Sequence, residues 1–218
     1  MILLAIDTAT ECCSAALWVD GHLYHRSTQQ PRLHAELILP FVEELLQEAQ
    51  ISKQDLQGLV VGQGPGAFTG VRIGVAIAQG LALALDIKVV AVSNLQTLAF
   101  VAYQTLQTSN EQCITVATDA RMQEVYSAQY LAKGSELTLI TSESVHPPEV
   151  TPLDNTDVYI GNGFEVYPHL QVYAKKHPMP FDTTVYSQAK DMLLMVKDRF
   201  SQLAQDIRNI EPVYLREP

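Results

Sequence analysis

Apolar and polar positions along the chain follow two different periods. Residues 2–6 are a continuous apolar run that stops at Asp7, and residues 12–19 form a second short run closed by Asp20-Gly21, a two-residue hairpin signal. Residues 23–28 supply the return strand. The period then changes. Leu37, Ile38, Phe41, Val42, Leu45, Leu46 and Ala49 recur at spacings of three and four, which predicts a helix over 34–49, kinked or started late at Pro40. A buried strand at 58–62, a helix at 69–85, a strand at 88–92 and a helix at 94–107 follow. In the helix at 69–85, Arg72 and Gln79 are the only side chains of marked polarity. A helix apolar all round needs cover on more than one side.

After the polar stretch 107–112 the pattern restarts. An apolar run at 114–117 ends at Thr118-Asp119-Ala120-Arg121, residues 124–131 alternate, Lys133-Gly134 turns the chain, and 137–141 returns. Proline at 147, 148 and 152 marks an irregular stretch, a strand at 157–160 ends in Gly161-Asn162-Gly163, and a helix covers 187–203. Both halves therefore open with an apolar strand, an Asp at its end and a hairpin, followed by helices. The expected architecture is α/β, in two units of similar order, 1–106 and 107–218, with mixed sheets flanked by helices.

Charge and cysteine content narrow the function classes. The chain has 218 residues and a net charge of −10, which gives it no pull on a phosphate backbone. A role in nucleic-acid chemistry needs a basic partner, and anionic membrane surfaces are disfavoured. The opening residues carry no basic segment and too short an apolar run for a signal peptide, and the apolar stretch at 71–85 is short of a bilayer span of about 20 residues. Cys12, Cys13 and Cys113 make neither a disulfide framework nor a zinc spacing, so reduced, mostly buried thiols in a cytoplasmic protein are expected.

Several segments are candidates for chemistry. Asp7-Thr8-Ala9-Thr10 puts a carboxylate and hydroxyls at a strand end, as a phosphate site does and as an ordinary capped turn also does. Gly64-Pro65-Gly66 before a helix resembles a phosphate cradle, but it lacks the Gly-Lys-Ser/Thr ending, and a tight turn packing the helix onto the sheet is the favoured reading. Gly70-x-x-x-Gly74 allows close backbone approach, to the sheet or to a partner helix on the opposite face; the near absence of a polar face favours the partner. Asp119-Ala120-Arg121 reads as an ion-paired loop. His34-Ala35-Glu36 lacks the Pro-Cys-x-x-Cys of a zinc deaminase, and neither a zinc-protease helix nor a serine-nucleophile motif occurs. No metal site is expected.

Taken in order, these segments resemble one family. Gly64-Pro65-Gly66-Ala67-Phe68-Thr69-Gly70-Val71-Arg72-Ile73-Gly74 is very close to the glycine-rich signature of the TsaB (YeaZ) family, with Ala67 and Val71 in place of Ser and Leu. Ile6-Asp7-Thr8, His34-Ala35-Glu36, Asp119-Ala120-Arg121 with Glu124-Val125-Tyr126, Gly161-Asn162-Gly163 and Pro212-x-Tyr214-Leu215-Arg216 fall in that family's order. The resemblance implies the actin/Hsp70/sugar-kinase type of fold and a role in threonylcarbamoyladenosine synthesis at adenosine 37 of tRNAs reading ANN codons. It implies a vestigial nucleotide cleft at Asp7, Thr8, Thr10, Gly64, Gly66, Asp119, Arg121, Gly161 and Gly163, with no cofactor and at most weak binding of ATP or ADP.

The catalytic paralogue, TsaD, has an Asn-His-x-x-x-His metal site after a similar Gly-Pro-Gly. Counting on from the glycines here gives Asn94 and Leu98 at the histidine positions, and leucine cannot ligate a metal. The resemblance therefore implies a non-catalytic subunit that activates TsaD, with TsaE as an ATPase partner, a homodimer when alone, and tRNA met only through the complex. Leu37, Phe41, Glu44, Val71, Arg72, Val75 and Gln79 are the expected interface positions. An ATP-dependent small-molecule phosphotransferase of the same fold, or a peptidase, is the alternative.

Overall fold

The computed structural model describes residues 1–30, 32–106, 110–134 and 136–216. It divides into two compact units, Met1–Asn94 with Ser187–Val213, and Leu95–Tyr186 with Tyr214–Pro218. Each unit is built on one mixed sheet.

In the first unit the strands are β1 (Ile2–Asp7), β2 (Cys13–Val19), β3 (His22–Thr28), β4 (Gly58–Gly62) and β5 (Lys88–Val92), in spatial order β3-β2-β1-β4-β5. β1, β2 and β3 pair antiparallel through tight connections, with Ile2 opposite Val19 and Asp7 opposite Ser14. β4 and β5 join parallel, with Leu3 opposite Gly58. Parallel pairing needs a crossover, and helices supply it. The helices α1 (His34–Glu48) and α2 (Phe68–Leu85) lie on the face that carries Leu4, Ile6, Ala15 and Leu17. The alternate positions Leu3, Ala5 and Ala16 point the other way, against α6 (Ala189–Val196) and Phe200.

The second unit repeats the scheme with β6 (Gln112–Asp119), β7 (Val125–Lys133), β8 (Glu136–His146) and β9 (Val158–Ile160), in order β8-β7-β6-β9. Two antiparallel pairs and one parallel pair again place the first strand in the middle. α3 (Asn94–Leu106) covers one face through Leu95, Leu98, Ala99 and Ala102. The short helices α4 (Gly163–Val166) and α5 (Pro168–Lys176) cover the other through Phe164 and Leu170.

The two units have other bounds than the expected 1–106 and 107–218. The expected division at 106/107 has one side on residues 107–109, outside the described residues. α3 belongs almost wholly to the second unit, because its apolar face packs on β6 and β7 rather than on the first sheet. Residues Ser187–Val213 return to the first unit, because the bare face of Leu3, Ala5 and Val60 needs a cover that the first 106 residues do not supply. Gly58 marks that contact. A Cβ there would meet the Phe200 ring at 2.1 Å.

The helices refine the expected pattern. α1 starts at His34, ahead of Pro40, and continues through it. Pro40 sits on the exposed side, and the bond it cannot make belongs to the carbonyl of exposed Glu36. The expected helix 187–203 is broken into α6, a 3-10 turn at Lys197–Arg199 and α7 (Phe200–Leu203). α4 and α5 carry too few buried positions to show a helical period in the sequence; in α5 only Leu170 is buried. By length and composition alone α2 could cross a membrane, but its buried positions Val71, Val75, Ala78 and Ala82 are part of the first unit's core.

Candidate functional site

β1 delivers Asp7 to the end of the first sheet with no exposure to solvent. Its Oδ1 accepts from the Ala9 backbone N–H at 3.0 Å, and its Oδ2 accepts from Asn94 Nδ2 at 2.9 Å and Ser187 Oγ at 3.0 Å. Asn94 also donates to Ser187 Oγ at 2.7 Å and accepts from the Gly64 N–H at 2.9 Å. Burial raises the Asp7 carboxyl above its ordinary range, and these hydrogen bonds pull it back. The group works as an internal brace. It ties the end of β1 to the turn after β4, the start of α3 and the entry to α6. Thr8 Oγ1 donates to the Gly70 carbonyl at 2.7 Å, and Thr10 Oγ1 accepts from the Cys12 N–H at 3.2 Å.

The glycine-rich turn packs against this same loop. A Cβ on Gly66 would lie 2.1 Å from the Ala9 carbonyl oxygen, and one on Gly70 would lie 2.1 Å from that of Thr8. On Gly74 it would meet Thr8 Oγ1 at 2.8 Å. The space these glycines open is filled by the chain's own residues 8–9. Two of the turn's amides are engaged as well: Ala67 N–H donates to Ala9 O at 2.7 Å, and Gly64 N–H donates to Asn94 Oδ1 at 2.9 Å. Gly64 has φ +97°, in the region that favours glycine. Close packing of helix on strand end accounts for the glycines at 66, 70 and 74. Beside it, Thr8, Thr10, Arg32, His34, Thr69 and Ile73 line an open pocket of about 370 Å³.

The second unit has its own strand-end constellation. Asp119 Oδ1 accepts from the Arg121 N–H at 2.8 Å and lies 2.6 Å from the Tyr167 hydroxyl, while Oδ2 pairs with Arg121 at 2.9 Å. The Arg121 side chain is 72% exposed, so the ion pair itself contributes little. Burial and the bond to Asp119 push the Tyr167 hydroxyl up to about 12. Asn162 Oδ1 accepts the Asp119 N–H at 2.9 Å. Gly161 and Gly163 repeat the glycine logic, since Cβ atoms there would stand 2.2 and 2.8 Å from the Ala117 carbonyl oxygen. Nothing in the sequence pattern singles out Tyr167 and Ser187 as members of these clusters, and Asn94 stands out there only through its place in the family resemblance. The nine expected cleft residues therefore fall into two groups, Asp7, Thr8, Thr10, Gly64 and Gly66 in the first unit, and Asp119, Arg121, Gly161 and Gly163 in the second.

The expected interface positions divide. Arg72 and Glu44 are exposed, and Leu37, Phe41 and Gln79 are half-buried. Val71 and Val75 correct the sequence reading. They are 1% and 3% exposed, packed in the first unit's own core, and are unavailable to a partner. They share the sheet-facing side of α2 with Gly70 and Gly74. The opposite side presents Phe68, Arg72, Ala76, Gly80, Leu83 and Ala84. Phe68 is 57% and Leu83 65% exposed, and the Arg72 guanidinium lies 3.7 Å over the Phe68 ring. On α1, Glu44 and Glu48 pair with Arg26 of β3.

Cys12 and Cys13 are buried and Cys113 half-buried. Burial pushes the first two thiols up to about 11 and 12, which leaves them unreactive. Asn94 and Leu98 both have structural duties: Asn94 in the Asp7 brace, Leu98 in the core under the second sheet. Among the described residues no group of His, Cys, Asp or Glu is placed to hold a metal ion.

Comparison with known proteins agrees with this geometry. The family model described as TsaD, tRNA N6-adenosine threonylcarbamoyltransferase, matches residues 26–196. The tRNA threonylcarbamoyladenosine biosynthesis protein TsaB of Escherichia coli is 36% identical over 99% of this chain and 95% of its own length. That of Haemophilus influenzae is 33% identical over 99% and 94%. The solved structure of YeaZ from Pseudomonas aeruginosa is 37% identical and superposes with a TM-score of 0.83, covering 98% of this chain and 99% of that one. The chain belongs to the TsaB family of tRNA threonylcarbamoyladenosine biosynthesis proteins.

Proposed function

We propose that this chain is the non-catalytic subunit of the threonylcarbamoyl transfer assembly, and that it activates a TsaD-type catalytic paralogue by docking on it through α1 and α2. The observation that carries the reading is the outer side of α2. Phe68, Ala76, Gly80, Leu83 and Ala84 form a contiguous, largely apolar and small-residue surface that the chain's own fold leaves uncovered. Small residues let a partner helix approach closely, and Arg72 stacked on Phe68 gives the patch a polar edge. Without the paralogue, the same surface on a second copy forms a twofold homodimer.

The chain contributes no catalytic metal, because Asn94 and Leu98 occupy the histidine positions of the paralogue and already serve its own fold. It needs no nucleotide of its own, since the Asp7 and Gly66 groups that would cradle one are engaged internally. TsaE supplies the ATPase. With a net charge of −10, the chain meets tRNA only through the complex, in the cytoplasm.

The test is reconstitution with one component left out. tRNA, ATP, threonine and bicarbonate are combined with the adenylate-forming enzyme, TsaD, TsaE and this chain, and modified adenosine is measured by mass spectrometry. Product is expected to be lost when the chain is omitted; unchanged product overturns the accessory role. Leu83→Glu places a charge on the exposed face without touching the core, and it is expected to weaken assembly about a hundredfold or more while leaving the melt unchanged. Normal co-elution of that variant with TsaD moves the docking surface elsewhere.

A further inference from the structure

The loop that joins β6 to β7 is held in a conformation its sequence does not favour. Arg121, Met122 and Gln123 have φ values of 63°, 54° and 62°. The Glu124 N–H donates to the Arg121 carbonyl at 3.0 Å, and the Ala120 N–H donates to the Glu124 carbonyl at 2.9 Å, so Met122 and Gln123 are the central pair of a left-handed turn. Such turns are normally built from Asn-Gly or Gly-Gly, because side chains on left-handed residues crowd the following carbonyl. Three such residues in a row, none of them glycine, do not persist unless the surroundings over-determine them.

Two sets of contacts do so. From the unit's interior, Asp119 holds the Arg121 N–H, and the Tyr167 hydroxyl lies 2.6 Å from Asp119 Oδ1 and 2.8 Å from the Glu124 carbonyl. From the far end of the sequence, Arg216 reaches both ends of the loop and its tip. Nη2 donates to the Ala120 carbonyl at 3.1 Å and to the Glu124 carboxylate, and Nη1 lies 3.2 Å from Met122 Sδ. The result is outward display of Met122, which is 79% exposed.

We propose that Arg216 is a latch, and that the loop 120–124 with the segment 214–216 forms a two-state element: left-handed and Met122-outward when Arg216 is docked, relaxed when it is not. The guanidinium suits the task, because one planar fork reaches a carbonyl, a carboxylate and a thioether together. Interior contacts hold the Arg121 N–H and the Glu124 carbonyl; the Ala120 carbonyl, the Glu124 carboxylate and the Met122 tip are tied by Arg216.

Amide hydrogen exchange at Ala120 and Glu124, the two N–H groups that close the turn, reads the latch directly in the full chain. Arg216→Ala is expected to speed both by about tenfold, the effect of losing one charge-assisted hydrogen bond. Exchange in the β6–β7 ladder, at Val116 and Ala128, stays unchanged and certifies the fold. Arg216→Lys does not restore protection, because an ammonium cannot span the same acceptors. The second arm is the double variant Met122→Gly with Gln123→Gly, in which the left-handed turn costs little. In that background Arg216→Ala is expected to change exchange by less than about twofold. Unchanged exchange on Arg216→Ala, or an equal change with and without the glycines, overturns the proposal.

Discussion

Replacing Gly66 by alanine separates the two physical readings of the glycine-rich signature. The added Cβ stands 2.1 Å from the Ala9 carbonyl oxygen and 2.9 Å from its carbon, so the backbones must part by about 1 Å. That oxygen also accepts from the Ala67 N–H at 2.7 Å, and Ala9 is tied to Asp7, so the contact cannot open without straining the brace. Overpacking costs about 1–3 kcal/mol and the hydrogen bond about 1 more, giving roughly 2–4 kcal/mol. At about 2–4 °C per kcal/mol for a chain of this size, the melting temperature is expected to fall by roughly 5–15 °C. Gly80 is the control. It lies within α2, a Cβ there meets nothing within 4 Å, and alanine favours the helix by about 0.5–1 kcal/mol, a rise of roughly 1–4 °C. Both melts are read by circular dichroism or calorimetry. If Gly66→Ala melts with the native chain but abolishes tRNA modification in the reconstituted system, the packing argument fails and a ligand cradle takes its place.

The remaining predictions concern buried charge and the two sides of α2. Burial raises the Asp191 carboxyl from 3.8 to about 6, against the pull of Lys190. Because the folded value lies above the unfolded one, the stability it contributes is full below about pH 4 and lost as pH rises through about 6. Asp191→Asn is therefore expected to be more stable than the native chain by about 1–2 kcal/mol at pH 7.5, with the gap closing toward pH 4.5; parallel melting curves across that range refute it. Asp7→Asn sets an amide donor against the Ala9 or Asn94 donors in a site with no water access, and a loss of about 2–3 kcal/mol is expected in a urea melt. Val75→Glu is expected to unfold the first unit, since it buries an unpaired charge at a position 3% exposed, whereas Leu83→Glu melts normally; equal melts would reverse the orientation assigned to α2.

The strand pattern was legible because each unit's sheet is covered on both faces, so β1 and β4 read as continuous apolar runs bounded by Asp7 and Gly62. The orientation of α2 was not, because a helix with apolar residues on every side gives its period no direction. The glycines carry that direction instead. Gly70 and Gly74 lie on one face with Val71, Val75 and Ala78, and small residues mark the side where backbones come closest. The return of Ser187–Val213 to the first unit was invisible for a different reason: it answers a bare sheet face more than 90 positions earlier, and no local period encodes that distance. The 120–124 turn was hidden because Arg-Met-Gln has none of the residues that signal left-handed backbone, and the contacts that impose it come from Tyr167 and Arg216.

These cases point one way. The residues that identify the family by sequence, Asp7, Gly64, Gly66, Gly70 and Gly74, with Asn94 beside them, are consumed in holding a strand end, a turn and two helices together. Such a signature recognises a fold because it is the part of the fold that tolerates no added atom. It therefore says little about chemistry. Outside the signature lie Phe68, Ala76, Gly80 and Leu83, exposed on the open side of α2, the surface proposed above to meet a partner.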